Sequence, residues 1–414
     1  MLKKITTDRL ALGMHIKEFC GSWMDHPFWR GGFVVNDPKD LATIQASSIT
    51  EVWIDCTKGI DVVERRQEAE AVPPPVPERR SLSEATAEVR PGAVAPTSMA
   101  VELVQAARIF SESRQAVMSM FQEARMGNAV DATRAKAMVE DIADSVSRNA
   151  GALISLARLK NADDYTYMHS VAVCAMMVAL ARQLGLDTEQ TRSAGLAGLM
   201  HDLGKAAMPL DVLNKPGKLT DAEFAVIKTH PVRGHQLLER SGEKNPIVLD
   251  VCLYHHEKID GSGYPKGLKG DAISLFAKMG AVCDVYDAIT SNRPYKSGWD
   301  PAESMRMMAE WKGHFDPKVF QAFVKSLGIY PIGSLVRLSS GRLGVVVAQT
   351  GKSLTMPTVK VFYSTKSSLR IAPEVIDLSR PGVKEKIEQR EDPAKWGFSD
   401  LNALWGAPEE GTQM

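Results

Sequence analysis

Ala194-Gly195-Leu196-Ala197-Gly198-Leu199-Met200-His201-Asp202-Leu203-Gly204-Lys205 runs from an apolar segment straight into a histidine–aspartate pair. Neither polar side chain is buried cheaply without a hydrogen-bond or ionic partner, so the pair calls for one. Metal coordination would supply it. The same stretch also reads as an ordinary helix end, with Gly204 as the left-handed terminator and Lys205 facing the helix dipole. The company the pair keeps elsewhere in the chain decides between the two.

Six of the nine histidines lie between positions 169 and 256: His169, His201, His230, His235, His255 and His256. They fall where helical segments begin or end, and His255-His256-Glu257 adds a tandem with its own carboxylate. Imidazoles combined with one or two carboxylates suit iron, manganese, zinc or nickel, and a carboxylate can bridge two ions. There are more imidazoles than one open hydrolytic site takes, so two metals are the natural count. Ions about 3.5–4 Å apart clamp both oxygens of an in-line displacement at phosphorus.

Two further stretches fit such a centre. Asp260-Gly261-Ser262-Gly263-Tyr264-Pro265-Lys266-Gly267 follows the tandem closely. It is good material for a surface turn, yet its glycines would also let backbone amides approach a phosphate. Asp284-Val285-Tyr286-Asp287 sets two carboxylates on one face of an otherwise apolar helix. They read either as metal ligand and supporting group or as a salt bridge with Arg293. Arg293 and Lys296 form a local anion trap.

Outside this region the chain changes character twice. Residues 1–64 alternate apolar and polar positions, with strands expected in Leu10–Ile16, Gly32–Val35 and Glu51–Asp55 and a helix from Pro38 to Ala46, a small α+β module. Its Trp23, Trp29 and Trp53, beside His26–Gly32, make either a surface for a protein partner or nucleotide or the core of the module. Residues 65–99, which contain Val72-Pro73-Pro74-Pro75-Val76-Pro77, read as a flexible Pro-rich linker. Residues 100–328 carry helical periodicity: after the helices of 101–160, either a dimerisation stalk or bundle core, come Tyr165–Leu184, Glu189–Leu203, Asp221–Arg240, Asn245–His255, Leu275–Ser291 and Pro301–Lys312. From Tyr330 the period switches to three short strands, a β-meander spanning 329–380, with a weakly ordered tail at 381–414 that holds one helical patch at Asp400–Leu404. The fold class is therefore multidomain α+β, with an all-helical bundle at its centre.

Whole-chain properties narrow the function. Lys plus Arg and Asp plus Glu number 50 each in 414 residues, so no global field recommends a nucleic-acid polymer or an anionic membrane as partner. The five cysteines are odd in number, scattered and free of CxxC pairs, which argues for reduced thiols. Met1-Leu2-Lys3-Lys4 lacks an apolar segment behind it, and the longest uncharged run, Ser170–Ala181, is too short for a bilayer, which takes about 20 residues. A cytoplasmic protein is expected.

Taken in order, His201-Asp202-Leu203-Gly204-Lys205, His230-Pro231, His255-His256-Glu257, Gly261-Ser262-Gly263-Tyr264-Pro265, Asp284-Val285-Tyr286-Asp287-Ala288-Ile289-Thr290-Ser291 and Arg293-Pro294-Tyr295 closely resemble the HD-GYP phosphodiesterases. These are HD-superfamily enzymes that hydrolyse the bacterial second messenger cyclic di-GMP. The resemblance covers roughly residues 160–325, including Leu213–Thr220. Residues 1–64 also look like the small domain of unknown function often found ahead of such domains. The resemblance implies His201, Asp202, His230, His255, His256 and Asp284 as ligands of a binuclear centre bridged by Asp202, with iron or manganese first and nickel or zinc next. His169 matches a histidine of the trinuclear members, but their glutamate four residues earlier is Tyr165 here, so two metals are expected and not three. Lys205, Arg293 and Lys296 match phosphate-holding residues, Asp287 supports the site, and Gly263-Tyr264-Pro265 lines the substrate. Asp202 and Lys205 would carry the chemistry, a metal-bridging hydroxide cutting cyclic di-GMP to pGpG, to GMP or to both. The rival expectations are an HD phosphohydrolase for another nucleotide and a cyclic di-GMP receptor or adaptor with little turnover.

Overall fold

The computed structural model describes residues 2–19, 33–45, 51–60, 97–158, 165–213, 215, 217–291, 298–350, 353–398 and 400–405. The chain divides into two compact units, 1–88 and 89–414. In the first, β1 (Leu2–Thr6), β2 (His15–Phe19), β3 (Phe33–Val34) and β4 (Glu51–Asp55) form an antiparallel sheet in the order β1-β4-β2-β3, with α1 (Pro38–Gln45) between β3 and β4. Ile5, Ile16, Val52, Ile54 and Ile44 make its core. Strand alternation turns Trp53, between Val52 and Ile54, to the outer face, where it is 37% exposed. Trp53 is thus a surface residue of this module, while Trp23, Trp29 and His26–Gly32 lie outside the described residues. The expected strand at Leu10–Ile16 is displaced to His15–Phe19, and β1 was not anticipated.

The second unit opens with α2 (Met99–Arg125) and α3 (Ala132–Arg158), then α4 (Tyr165–Gln183) and α5 (Thr188–Met200). Every residue of α4 from Met168 to Ala181 is buried, which explains the uncharged run: a helix packed all round has no polar face. Gly185, at φ +73°, ends it. Asp187 caps α5 through a capping box with Gln190. Gly195 and Gly198 let α5 lie close on α4; a Cβ at Gly198 would sit 3.0 Å from the Cys174 backbone. This tight helical hairpin carries the end of α5 back to the start of α4.

Beyond α5 a 3-10 turn (Leu203–Ala207) leads to the short α6 (Leu210–Leu213), then α7 (Asp221–Ile227), α8 (His230–Arg240), α9 (Pro246–Tyr254), α10 (Leu275–Thr290), α11 (Pro301–Glu310) and α12 (Pro317–Leu327). Two expectations change here. Asp221–Arg240 is two helices, because Pro231 in the first turn of α8 has no N–H for the ladder and its ring excludes a continuous helix. Gly204 is not a left-handed terminator, being absent from the positive-φ glycines. Its role is close approach: a Cβ there would lie 1.9 Å from the His230 carbonyl oxygen and 2.6 Å from the Gly234 nitrogen. None of the described helices is long and apolar enough to cross a membrane.

The C-terminal sheet is larger than the expected meander. β5 (Leu335–Leu338), β6 (Arg342–Thr350), β7 (Ser353–Ser364), β8 (Leu369–Asp377) and β9 (Ile387–Arg390) are antiparallel in the order β8-β7-β6-β5-β9, followed by the short helices α13 (Pro393–Trp396) and α14 (Leu401–Trp405). The tail is therefore not weakly ordered throughout. Its Ile387–Arg390 pairs with β5, and Trp405 enters the core with Leu335, Val345 and Phe362. Arg390 bonds Glu303 of α11 and Asp300, the residue that caps it, which joins the sheet to the bundle.

Candidate metal centre

The packing just described brings the segment ends together. His201 closes α5, and its Nδ1 pairs with the Gly198 carbonyl at 2.7 Å. His230 pairs through Nδ1 with the Ile227 carbonyl at 2.8 Å. His255, at the end of α9, does the same with Val251 and Cys252 at 3.0 and 3.1 Å. Each ring thus spends Nδ1 on the preceding helical turn, which fixes the tautomer and aims Nε2 inward. The His230 and His255 Nε2 atoms end only 3.3 Å apart. With their protons on Nδ1 these are two facing lone pairs, an arrangement that suits a cation between them.

Asp202 stands at the middle. One oxygen lies 3.2 Å from His230 Nε2, while the other lies 3.4 Å from His201 Nε2 and 3.5 Å from His169 Nε2 and takes the ammonium of Lys205. Asp284, on α10, lies 3.0 Å from His169 Nε2 and 3.7 Å from His256 Nδ1. Two groups of potential ligands result: Asp202, His230, His255 and His256, and His169, His201, Asp202 and Asp284, the ligand atoms of each within 4.8 Å of one another. Asp202 belongs to both. All six expected ligand positions are assembled, and His169 lies in the second group. Asp287 accepts from His169 Nδ1 at 2.7 Å and from Ser291 Oγ at 3.1 Å, a supporting place behind that ring.

The electrostatics ask for positive charge. Burial opposes ionisation of Asp202, yet Lys205, His201 and His230 hold it well below the usual carboxylate range. His169, His201 and His256 do the same for Asp284 against its own desolvation. Burial also opposes a charged His201, but the two carboxylates push it up to about 10. Burial and the neighbouring imidazoles drive His255 far down. His201 Nε2 and Asp202 Oδ1 are buried and find no hydrogen-bond partner among the described residues. Orphaned buried polar atoms are rare in folded proteins; here Asp202 Oδ1 is on the His230 side, and His201 Nε2 lies beside the other Asp202 oxygen. The donor set fits divalent metal.

The expected loop flanks the centre. The Tyr264 ring stacks on His256 at 4.7 Å. Gly263 has no room for a side chain, since a Cβ would sit 2.4 Å from the Lys258 nitrogen. Glu257 is outside both ligand groups. Its buried carboxylate instead accepts from the backbone N–H groups of Lys266 and Leu268 at 2.8 and 2.9 Å, clamping the loop. Sequence reading set Glu257 beside the tandem without this role, and only its proximity to the glycine-rich loop hinted at it. His235 lies apart, half-exposed and 3.3 Å from Glu239. Arg293 and Lys296 are outside the described residues.

Two family models match the chain, a domain of unknown function (DUF3391) over residues 2–135 and the HD domain over residues 138–319. A cyclic di-GMP phosphodiesterase of Pseudomonas aeruginosa is 52% identical over 98% of this chain and 96% of its own length. The cyclic di-GMP phosphodiesterase response regulator RpfG of Xanthomonas campestris pv. campestris is 41% identical over 41% of this chain and 47% of that protein. The 3′3′-cGAMP-specific phosphodiesterase 1 of Vibrio cholerae is 37% identical over 39% of this chain and 38% of that protein.

Proposed function

This chain belongs to the HD-domain family of cyclic di-GMP phosphodiesterases, and from that premise we propose that it hydrolyses the 3′,5′-phosphodiester of cyclic di-GMP at the centre built on Asp202. The observation that carries the reading is the pair of four-donor groups sharing Asp202, with His201 Nε2 and Asp202 Oδ1 left orphaned between them. In this reading His201, His230, His255, His256, Asp284 and Asp202 hold two divalent ions, iron or manganese first, with His169 as an additional donor to the second. Such ions supply Lewis acidity and charge neutralisation at phosphorus.

The chain's own residues do the rest. Asp202 offers one oxygen to each ligand group, so the two are held at a fixed spacing. Lys205, only partly buried and seated on Asp202, brings an ammonium to the charge that develops on the phosphate oxygens. Buried Nδ1 contacts keep three imidazoles from rotating, and Asp287 does so for His169. Tyr264 walls the site on its open side, with Arg293 and Lys296 assigned to the phosphates. The product is pGpG, with GMP on a second cut. A cyclic dinucleotide is an intracellular signal, which supports a cytoplasmic location, and the outward Trp53 supports a protein partner for residues 1–64.

Metal analysis of anaerobically purified full-length protein, coupled to a product assay on cyclic di-GMP, 3′3′-cGAMP and linear pGpG, tests the proposal. Two equivalents of metal and formation of pGpG are expected. Hydrolysis of cyclic di-GMP at the full rate by metal-free protein would overturn it. Binding without product in the loaded protein would favour a receptor, and faster turnover of another nucleotide would move the substrate.

A further inference from the structure

A groove of about 540 Å³ lies along α8 beside the metal centre, lined by Lys228, Thr229, Val232, Arg233, Tyr264 and Pro265 among others. It continues from the ligand groups: Thr229 directly precedes His230, and Tyr264 stacks on His256. Lys228 Nζ lies 5.9 Å from the centre of the Tyr264 ring and 4.9 Å from that of Phe224. Lys228 and Arg233 are exposed, and neither takes part in an ion pair among the described residues. Val232 adds an exposed apolar side chain to the lining. Two cations without acidic partners among the described residues, in a lining shared with an aromatic ring and an apolar side chain, suit an anion carrying a flat or sugar-like body.

The cyclic dinucleotide reading gives that groove an occupant. The substrate has two phosphodiesters and two purines, and only one phosphodiester can occupy the metal groups at a time. We propose that the groove holds the half that is not being cleaved, with Lys228 and Arg233 pairing with the distal phosphate and the nucleoside lying against Tyr264, Val232 and Pro265. This rests on the function proposed above and assigns it two binding residues outside the metal centre. It also makes the enzyme selective for dinucleotides over simple phosphodiesters.

The experiment compares the metal-loaded full-length protein with Lys228→Gln, Arg233→Gln and the double variant on two substrates. One is cyclic di-GMP; the other is bis(p-nitrophenyl) phosphate, a phosphodiester with no second nucleotide. Each single change is expected to raise KM for cyclic di-GMP roughly tenfold, with kcat and metal content unchanged, and the double change to raise it further. Hydrolysis of bis(p-nitrophenyl) phosphate stays the same. Unchanged KM for cyclic di-GMP overturns the assignment, and so does an equal loss on both substrates, which would make the two residues supports of the metal centre. Titration calorimetry with cyclic di-GMP separates this from failure of the function itself. If wild-type protein binds without turnover, a tenfold weaker affinity in the variants still upholds the groove; if it neither binds nor cleaves, both readings fall.

Discussion

Glu102 and Asp202 are both carboxylates buried in the helical unit, and the structure treats them in opposite ways. Glu102, fully buried on α2, receives Ser145 Oγ at 2.8 Å, Thr97 Oγ1 at 3.0 Å and both a 2.7 Å and a 2.9 Å contact from the Arg148 guanidinium. Against desolvation these donors hold its pKa below the usual value. Asp202 has Lys205 on one oxygen and nothing in hydrogen-bonding geometry on the other. Burial therefore does not mark a site in this protein. An unmet acceptor alone does not either, since Glu243 Oε2 is also buried without a partner among the described residues; what sets Asp202 apart is that its unmet oxygen stands among clustered potential ligand atoms.

Asp202→Ala tests the contrast most strongly. It should abolish stoichiometric metal and lower kcat on cyclic di-GMP by on the order of a thousandfold or more, while the melting temperature of the metal-free protein stays close to wild type. Metal analysis, a product assay and a thermal melt read all three; a collapse of the metal-free fold would make Asp202 a structural residue like Glu102. Glu102→Ala should behave in reverse. Stranding Arg148 and two hydroxyls is expected to cost roughly 3–5 kcal/mol in a urea titration, with metal content intact below the transition.

Gly204→Ala lies between the two. A methyl group driven against the His230 carbonyl should destabilise by roughly 1–3 kcal/mol and also reduce bound metal, because the strain falls between the ligand groups. Retention of both stability and metal would show that the turn can move aside. The smallest effect belongs to a satisfied, more accessible carboxylate. Burial works against the charge on Glu385, yet Ser340, Arg342 and Ser339 bring it down to about 2. A depressed acid stabilises the fold above its unfolded value near 4.5 and loses that contribution as pH falls toward 2. Glu385→Gln should thus cost about 1 kcal/mol near neutrality, and the gap from wild type should narrow below about pH 4.5 and close only as pH falls through about 2 in paired urea titrations.

The same contrast explains what could be read in advance. His201-Asp202, the His255-His256 tandem and Asp284 were legible because rare residue types stood at segment ends, and the family resemblance ordered them. Glu102 sent no such signal: Ser145 and Arg148, two of its three partners, are 43 and 46 residues away in the chain, and a glutamate on a long helix looks like a solvated one. Glu257 was seen but its role was not, since backbone N–H groups leave no trace in a sequence. Pro231 did announce the break between α7 and α8, but apolar periodicity on both sides masked it. β8 and β9 were missed because β8 is largely exposed and lacks an apolar run, so only pairing with β7 makes it a strand. Gly204 was noticed for the wrong property, its dihedral freedom and not its lack of volume.

That last residue carries a mechanical consequence. Gly204 and Gly234 meet main chain to main chain, a Cβ on Gly234 falling 2.9 Å from the Gly204 nitrogen. One side of this contact leads to His201 and Asp202, the other to His230. A joint of this kind contains no rotatable side chain, so it has no alternative packing to relax into when neighbouring core residues change. The distance across the metal centre is set there by the dimensions of the polypeptide itself, much as a hinge pin sets the gap between two plates.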